Sequence, residues 1–542
     1  MNDILNDAST FVPLTNLDPF KNNLLLEDKL NRFLKQLQEN SYLSDNEYTS
    51  LYASGSNPGI MYGLPKIHKD NVPLRPVLSS FKTFNYKLAK FLVPHLQSYE
   101  KNNYSLSNSY EFFNDVKDLN INNESFLVSL DVVSLYTNVP VSEVIDVTTN
   151  LVYDNDGTFR SMDRQLFRQF LNLAVGDSYF VFNELYYKQK DGLAMGCPLS
   201  ATLANIFMCH HESIWLDDCP IDFKPVFYKR YVDDTFVIFK KREHAQKFFD
   251  YMNTKHHKIK FTMEAENNNK IPFLDILIEK QNNRLDLSIY RKPTFSGLGV
   301  NFISACYANF KLNTFCTLFY RAFRLSSSYI NFHNELCFLS NFFAQNGFPS
   351  QMFYKSLRCF LNKIFCPKPL KEGPRKLEFY FKLPYMSDNL NSYVKKELNN
   401  IFCKYFPHIK ACAIFYNNCK LKNYVNHKDK LPSPLCSMVV YLYKCPICQL
   451  AYVGSTKKCL LQRYHEHNGS SCRTGKMLAS PPSSSIRDHC KRTCKCIISC
   501  DDFQVIYKGD SDIEIRIAES LLIGKHRPKL NKDISCYPLK LI

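Results

Sequence analysis

One stretch constrains this chain more than any other: Tyr-Lys-Arg-Tyr-Val-Asp-Asp-Thr-Phe-Val-Ile-Phe, residues 228–239. Asp233 and Asp234 stand between two apolar runs rich in aromatic and β-branched residues. Residues 228–232 and 235–239 both favour strand, with Asp-Asp as the turn between them. The expected product is a hairpin that crowds two carboxylates at a tight bend. Crowded carboxylates are costly unless a cation neutralises them, and oxygen-only ligands suit Mg²⁺. Metals held there can activate a hydroxyl nucleophile and stabilise a pyrophosphate leaving group. Taken alone, an Asp-Asp pair is more often a solvated turn. Its company along the chain decides between the two.

A third carboxylate comes from residues 126–135, Phe-Leu-Val-Ser-Leu-Asp-Val-Val-Ser-Leu, which read as a buried strand carrying Asp131. A buried aspartate needs a partner, and a metal is one. Tyr136 follows, just before the turn chemistry of residues 137–140. Residues 192–200, Gly-Leu-Ala-Met-Gly-Cys-Pro-Leu-Ser, form a loop whose backbone can approach a ligand closely. Ser200 is placed to cap the helix that follows. Earlier, residues 62–69 read Tyr-Gly-Leu-Pro-Lys-Ile-His-Lys, and Lys66, Lys69 and Arg75 surround Pro-rich loops from which they can reach phosphates.

Elsewhere the pattern is coarser. A polar lead precedes a helix with Leu26, Leu30, Phe33, Leu34 and Leu37 on one face, and residues 54–59 are a break. Residues 164–175 read as helix and 179–187 as a hairpin bending at Asn183 and Glu184. Residues 271–278 and 285–290 read as a strand pair, followed by Tyr290, Arg291 and Lys292. Residues 301–365 have a helical pattern, and 366–438 read as a Pro-punctuated, Lys-rich connector with one short folded piece at best.

With 542 residues there is room for two to four domains. A net charge of +17, spread along the chain, suits a surface that grips a phosphate backbone. The 21 cysteines are an odd number, and ten lie from Cys436 onward, a crowding that fits zinc in a reducing compartment better than disulfides. Asn2, Asp3 and Asp7 break up any secretory signal, and no apolar run reaches spanning length. The reading is a soluble, intracellular protein with no membrane partner.

Four motifs in order, Gly-Leu-Pro-Lys-Ile-His-Lys, Leu-Asp-Val-Val-Ser-Leu-Tyr-Thr-Asn-Val-Pro, Gly-Leu-Ala-Met-Gly-Cys-Pro-Leu-Ser and Tyr-Val-Asp-Asp, resemble a reverse transcriptase. They are most similar to those of Penelope-like retroelements, relatives of telomerase reverse transcriptase, over about residues 30 to 349. The resemblance implies an α+β multidomain chain with a right-hand polymerase of fingers, palm and helical thumb. Asp131, Asp233 and Asp234 would then bind two Mg²⁺, with Asp131 and Asp233 bridging and Asp234 supporting. Tyr136 would exclude a ribonucleotide 2′-hydroxyl, and Gly196, Pro198 and Ser200 would lie against template and incoming base. Lys66 and Arg75 would clamp the triphosphate, and Tyr290, Arg291 and Lys292 would form a primer grip. The primer 3′-hydroxyl would attack the α-phosphate in line.

A second constellation begins near residue 438. Val-Val-Tyr441 and Tyr452-Val-Gly hold tyrosines eleven apart, followed by Arg463, His467 on the same helical face, Glu519 and Asn531. Two short strands, a helix with a cation and a base, and a distant carboxylate can cut a phosphodiester. A tyrosine or an assisted water would act as nucleophile, Arg463 would stabilise charge and Glu519 would hold one divalent metal. These residues resemble a GIY-YIG endonuclease, a small α/β domain over 438–535, although the first glycine of its name motif is absent. Cys445-Pro-Ile-Cys448 is half of a structural zinc site. By resemblance to similar elements, which carry a Cys-Cys-His-His motif here, His489 is the best third ligand. His467 is either catalytic or a zinc ligand, and Cys490, Cys494 and Cys496 can substitute.

The implied order is 1–60, an N-terminal helical or fingers remnant; 61–298, fingers and palm; 299–365, thumb; 366–437, connector; and 438–535, nuclease with zinc knuckle. Only some 60 residues precede the first motif, which reads as an N-terminal truncation relative to the family. The function implied is a retrotransposon's RNA-directed DNA polymerase, using RNA template and dNTPs, coupled to a nuclease that nicks target DNA to prime copying, in the nucleus. The alternative is an inactive nucleic-acid-binding remnant, and a telomere-maintaining polymerase is disfavoured by the nuclease-like tail.

Overall fold

The computed structural model describes residues 2–8, 10–67, 71–122, 124–155, 159, 161–367, 376–417 and 430–531. At its centre lies an antiparallel four-stranded sheet in the order Phe227–Tyr231, Asp234–Phe239, Phe126–Val132, Phe261–Ala265. The run 236–239 is apolar throughout because this sheet is covered on both faces. Val237 and Phe239 join Val128, Leu130 and Val132 under the helices Val141–Asp154, Arg164–Val175, Ser200–Asp217 and Arg242–Lys255. Phe236 and Ile238 face the other way, with Leu127, into a core shared with the helix Ser109–Val116 and a three-stranded sheet.

That second sheet corrects an expectation. Residues 271–278 are two strands, Lys270–Phe273 and Ile276–Gln281, which pair with each other and with Arg284–Ile289. Leu274, with φ of 53°, turns the chain between them. A continuous apolar run hides such a turn, because Leu274 has no turn chemistry of its own.

A five-stranded sheet stands beside the central one, in the order Phe11–Pro13, Leu185–Gln189, Tyr179–Phe182, Gly59–Pro65, Leu74–Ser79. Its hairpin bends at Asn183 and Glu184, both left-handed, as the two-residue loop requires. The polar lead contributes an edge strand here, pairing Phe11–Pro13 with 187–189. The long N-terminal helix is Pro19–Glu39, capped by Asp18 and burying Leu30, Phe33, Leu34 and Leu37.

Three helices follow the sheets: Ala308–Arg324, Tyr329–Gln345 and Ser350–Phe365. Their core is almost wholly phenylalanine, with Phe315 and Phe343 stacked at 3.9 Å. Residues 366–437 hold more than a connector. Strands Leu377–Pro384 and Ile409–Tyr416 pair in parallel over eight residues, joined by the helix Asp388–Tyr405. This unit packs on the helices through Tyr307 against Phe415.

At the C-terminal end, strands Ala451–Thr456, Val439–Lys444 and Phe503–Lys508 form an antiparallel sheet in that order. Helices Leu460–Asn468, Ser485–His489 and Asp512–His526 flank it. The sheet's unit sits on the N-terminal helix: Phe20 and Leu24 share a cluster with Leu435 and Cys459, and Arg473 Nε donates to Asp28 at 2.9 Å. Among the described residues no helix is long and apolar enough to cross a membrane.

Candidate functional site

Pairing across the central sheet sets Asp131 directly opposite Asp234. The hairpin turn is Val232-Asp233, since Tyr231 pairs with Asp234; the sequence reading had placed the turn one residue later. With Asp234 opening a strand instead of turning the chain, all three carboxylates converge. Oxygens of Asp131, Asp233 and Asp234 lie within 4.8 Å of one another, the first two half-buried and the third exposed. Asp131 was expected to be buried; at the mouth of a cleft it keeps partial access to water.

The turn is strained. Val232 has φ of 57°, a genuine outlier for a β-branched residue. A buried side chain holds it. Arg230 Nη1 donates to the Val232 carbonyl at 2.9 Å. Its guanidinium also grips Glu212, with Nε at 2.6 Å and Nη2 at 3.1 Å, and reaches Asn205 and Cys209 at 3.3 and 3.2 Å. The Arg230 and Glu212 side chains are almost fully buried, at 1% and 0% exposure. Asn102 Nδ2 adds a hydrogen bond to Glu212 at 2.8 Å. Sequence reasoning missed this pair. Its signal was a charge inside each of two apolar elements.

A cleft of about 920 Å³ opens over the carboxylates. Lys66, Arg75, Tyr136, Met195 and Lys292 line it, with Thr262 and Glu264 from the fourth strand and Asp7 and Thr10 from the polar lead. Arg75 sits opposite Leu64 in its hairpin, so the first motif reaches the cleft from the five-stranded sheet; Lys69 lies outside the described residues. Burial, with Asp233 next, pushes the Tyr136 phenol up, so it stays protonated.

The glycine loop is a strap rather than a lining, apart from Met195. A Cβ on Gly196, at φ 124°, would lie 2.1 Å from the Leu78 carbonyl. Ser80 donates to the Gly196 carbonyl at 2.8 Å. Ser200 is not a cap: it begins the helix, is 2% exposed, and donates to the Ala194 carbonyl at 2.8 Å. Neither Pro198 nor Ser200 reaches the cleft lining. Tyr290 donates its N–H to the Asp275 carbonyl. Arg291 pairs with Glu335 and lies 3.7 Å from the Phe338 ring centre, which ties it to the three helices and leaves Lys292 to face the cleft.

In the C-terminal unit, Tyr441, Tyr452, Arg463 and His467 meet on one side of the sheet. Arg463 Nε donates to the Tyr441 hydroxyl at 3.1 Å. That hydroxyl also lies 2.7 Å from His467 Nε2, and His467 Nδ1 is 2.8 Å from Ser484 Oγ. Burial, with Arg463 next, pushes His467 down to about 3, so the imidazole is neutral. Burial raises Tyr441 well above the phenol range. At Gly454 a Cβ would lie 2.6 Å from the Tyr441 hydroxyl, so only glycine fits beside that ring. Glu519 accepts from the Ser455 N–H at 2.9 Å and from its hydroxyl at 2.7 Å. Asn531 exchanges two hydrogen bonds with the Val453 backbone, at 3.0 and 2.8 Å, so it pins the strand.

Cys445, Cys448, His489 and Cys494 form a separate group with ligand atoms within 4.8 Å of one another. His489 Nε2 is 3.2 Å from Cys448 Sγ and 3.3 Å from Cys494 Sγ. Burial pushes the Cys445 thiol up, but hydrogen bonds from Cys448, Ile447 and His489 outweigh it and lower it overall. His467 stands with the tyrosines. Cys490 bonds Tyr443 at 3.1 Å, and Cys496 lies 3.8 Å from Cys445.

Residues 67–301 match the family described as "Reverse transcriptase (RNA-dependent DNA polymerase)". Residues 299–358 match "Animal helix-turn-helix domain". Residues 67–301 thus carry the likeness of a reverse transcriptase domain and 299–358 that of a helix-turn-helix domain. No curated protein matches the chain significantly. Among solved structures it is similar to the telomerase of Candida albicans in complex with a TWJ fragment of telomeric RNA, at 12% identity and TM-score 0.41, over 65% of each chain. It is also similar to apo telomerase of Candida tropicalis, at 12% identity and TM-score 0.35, over 58% of this chain and 60% of that one. Sicinivirus 3Dpol RNA-dependent RNA polymerase matches at 14% identity and TM-score 0.34, over 54% and 64%. The chain spans less than two thirds of each of these.

Removing Arg230 alone would strand Glu212, so the informative change is Arg230→Met with Glu212→Leu, which replaces a buried ion pair by apolar volume. The double variant is expected to keep its thermal midpoint while primer extension slows by about 10²-fold, the scale of a small misplacement of reacting groups. Extension at the parental rate would mean that the pair positions nothing.

Proposed function

We propose that this chain is the protein of a Penelope-like retroelement: an RNA-directed DNA polymerase coupled to a GIY-YIG endonuclease that nicks target DNA to prime reverse transcription. The observation that carries the polymerase half is the convergence of Asp131, Asp233 and Asp234 on a cleft shared with Lys66, Arg75 and Tyr136. The domain limits of this reading are 61–298 for fingers and palm, 299–365 for the thumb and 438–535 for the nuclease. The helix-turn-helix likeness of 299–358 supports nucleic-acid contact by the helical unit; of its basic residues, Lys311 is buried over Phe302 and Arg321 pairs with Asp275 at 3.2 Å.

An all-oxygen donor set within 4.8 Å fits Mg²⁺. When bound, two such ions lower the pKa of the primer hydroxyl and neutralise charge on the departing pyrophosphate. The chain's own part is positioning. Lys66 and Arg75 hold the triphosphate of a dNTP, Tyr136 crowds a 2′-hydroxyl, and Lys292 meets the primer strand. An inactive nucleic-acid-binding remnant is not favoured, because all three carboxylates are present and face one cleft.

The nuclease half rests on the Arg463–Tyr441–His467 chain of hydrogen bonds. Tyr441 or an assisted water would attack phosphorus and expel the 3′ oxygen of the cut strand, and Arg463, 3.1 Å from the Tyr441 hydroxyl, offsets the charge that develops. Glu519 would hold a divalent metal. The sulfur-rich group Cys445, Cys448, His489 and Cys494 fits a structural Zn²⁺, with Cys494 in the place expected of a second histidine. Work on chromosomal DNA would set the protein in the nucleus.

Nicking of supercoiled plasmid in Mg²⁺ tests the coupling. Glu519→Gln is expected to lose nicking and keep extension on a pre-annealed primer, and equal nicking by both proteins would remove the endonuclease. Elemental analysis should find one zinc per chain, reduced in Cys448→Ser; a zinc-free parent would refute that site.

A further inference from the structure

The parallel unit formed by Leu377–Pro384, Asp388–Tyr405 and Ile409–Tyr416 has one face that its helix covers in part and one face that no described element covers. Parallel strands ordinarily occur with both faces covered. Here the helix covers one side, where Phe381 meets Phe402 at 5.5 Å. Alternation along the strands puts Glu378, Tyr380, Lys382 and Pro384 on the other, beside Lys410, Cys412, Ile414 and Tyr416 in register. Tyr380 is 56% exposed, Tyr416 42% and Ile414 39%. Lys382 and Lys410 are exposed as well.

Charge narrows the choice of partner. The one acid on this face, Glu378, is already engaged by Lys410 at 2.6 Å and by the Tyr380 hydroxyl. Lys382 and Lys410 are the cations of the face, and the chain as a whole carries +17. A protein partner of ordinary composition would bury these lysines at a cost, whereas a phosphate backbone pairs with them. Sheet faces that present aromatic rings between cations stack unpaired bases. Tyr380 and Tyr416 are four residues apart in register, about 13 Å along the strands, so each ring would take a different base. A duplex offers neither ring an unstacked base.

We infer that the open face carrying Tyr380, Ile414, Tyr416 and Lys382 is a binding platform for single-stranded nucleic acid, outside the carboxylate cleft. It rests on the reading of the chain as a nucleic-acid polymerase only for the presence of such strands. The unit sits on the three-helix unit through its covered side, by Tyr307 against Phe415 and by Ala308 N–H to Asp388 Oδ1 at 3.1 Å. That places it beside the cleft's helical neighbour, where unpaired template or displaced DNA strand is at hand.

The test uses the full chain and fluorescent 20-mers of single-stranded RNA, single-stranded DNA and duplex DNA at fixed salt. In Tyr380→Ala with Tyr416→Ala, single-strand affinity is expected to fall by about tenfold to hundredfold, with duplex affinity within twofold of the parent. Whichever single strand loses more identifies the natural one. Tyr380→Phe with Tyr416→Phe should bind as the parent does, because rings rather than hydroxyls do the stacking. Ultraviolet crosslinks should map to the peptides holding Tyr380 and Tyr416. Extension on a short pre-annealed primer–template should not change, so loss of extension in the parent would indict the polymerase reading and leave this one standing. Unchanged single-strand affinity in the alanine variant would overturn the platform. So would an equal loss of duplex binding, or a loss of self-association in place of a loss of binding, which would assign the face to a second copy.

Discussion

Everything in the polymerase site depends on holding three carboxylates where they repel. Two unit charges about 4 Å apart cost about 4 kcal/mol even at an effective dielectric of 20. The backbone must therefore be fixed before any cation arrives. Strand pairing fixes Asp131 against Asp234. Asp233 follows a residue in a conformation that valine rarely adopts. The buried Arg230–Glu212 pair meets that need by holding the Val232 carbonyl from behind. A buried ion pair is a poor source of stability; one that grips the turn before a clustered carboxylate has a reason to persist.

The same economy of position governs the walls of the cleft. Gly196 is strapped under the Leu78 carbonyl, and Ser80 and Ser200 hold the loop's carbonyls from two sides. The loop thus carries Met195 to the cleft while its other motif residues bear the load. Arg291 likewise serves the contact between sheet and helices, leaving Lys292 as the cation toward the cleft. A motif residue can be required by the geometry of its neighbour without touching a ligand.

Much of this was legible in the sequence. The strands around Asp131 and Asp233 announced themselves by aromatic and β-branched runs, and the helix over Arg164–Val175 by its period. The shared face of Arg463 and His467 followed from helical spacing, and their grouping with Tyr441 from the family resemblance. What stayed hidden was set by long-range pairing. The turn slipped by one residue because only the partner strand decides that Asp234 belongs to the ladder. Arg230 and Glu212, eighteen positions apart, look like ordinary charges until both prove buried. Cys494 became the fourth member of its group because a π-turn of helix, 490–494, brings it back beside His489. The βαβ unit in 377–416 was read as linker because its strands bury few of their apolar residues.

Two separate centres, one of carboxylates and one of tyrosine, arginine and histidine, share a chain whose C-terminal unit rests on the N-terminal helix. The carboxylate centre is the more directly testable. Primer extension on a primed RNA template with Mg²⁺ and dNTPs should be compared for the parent and for Asp233→Asn at matched thermal midpoint. Extension by the parent and its near-complete loss in the variant is the expected result. Equal extension by both proteins would contradict the assignment of these carboxylates to the chemistry.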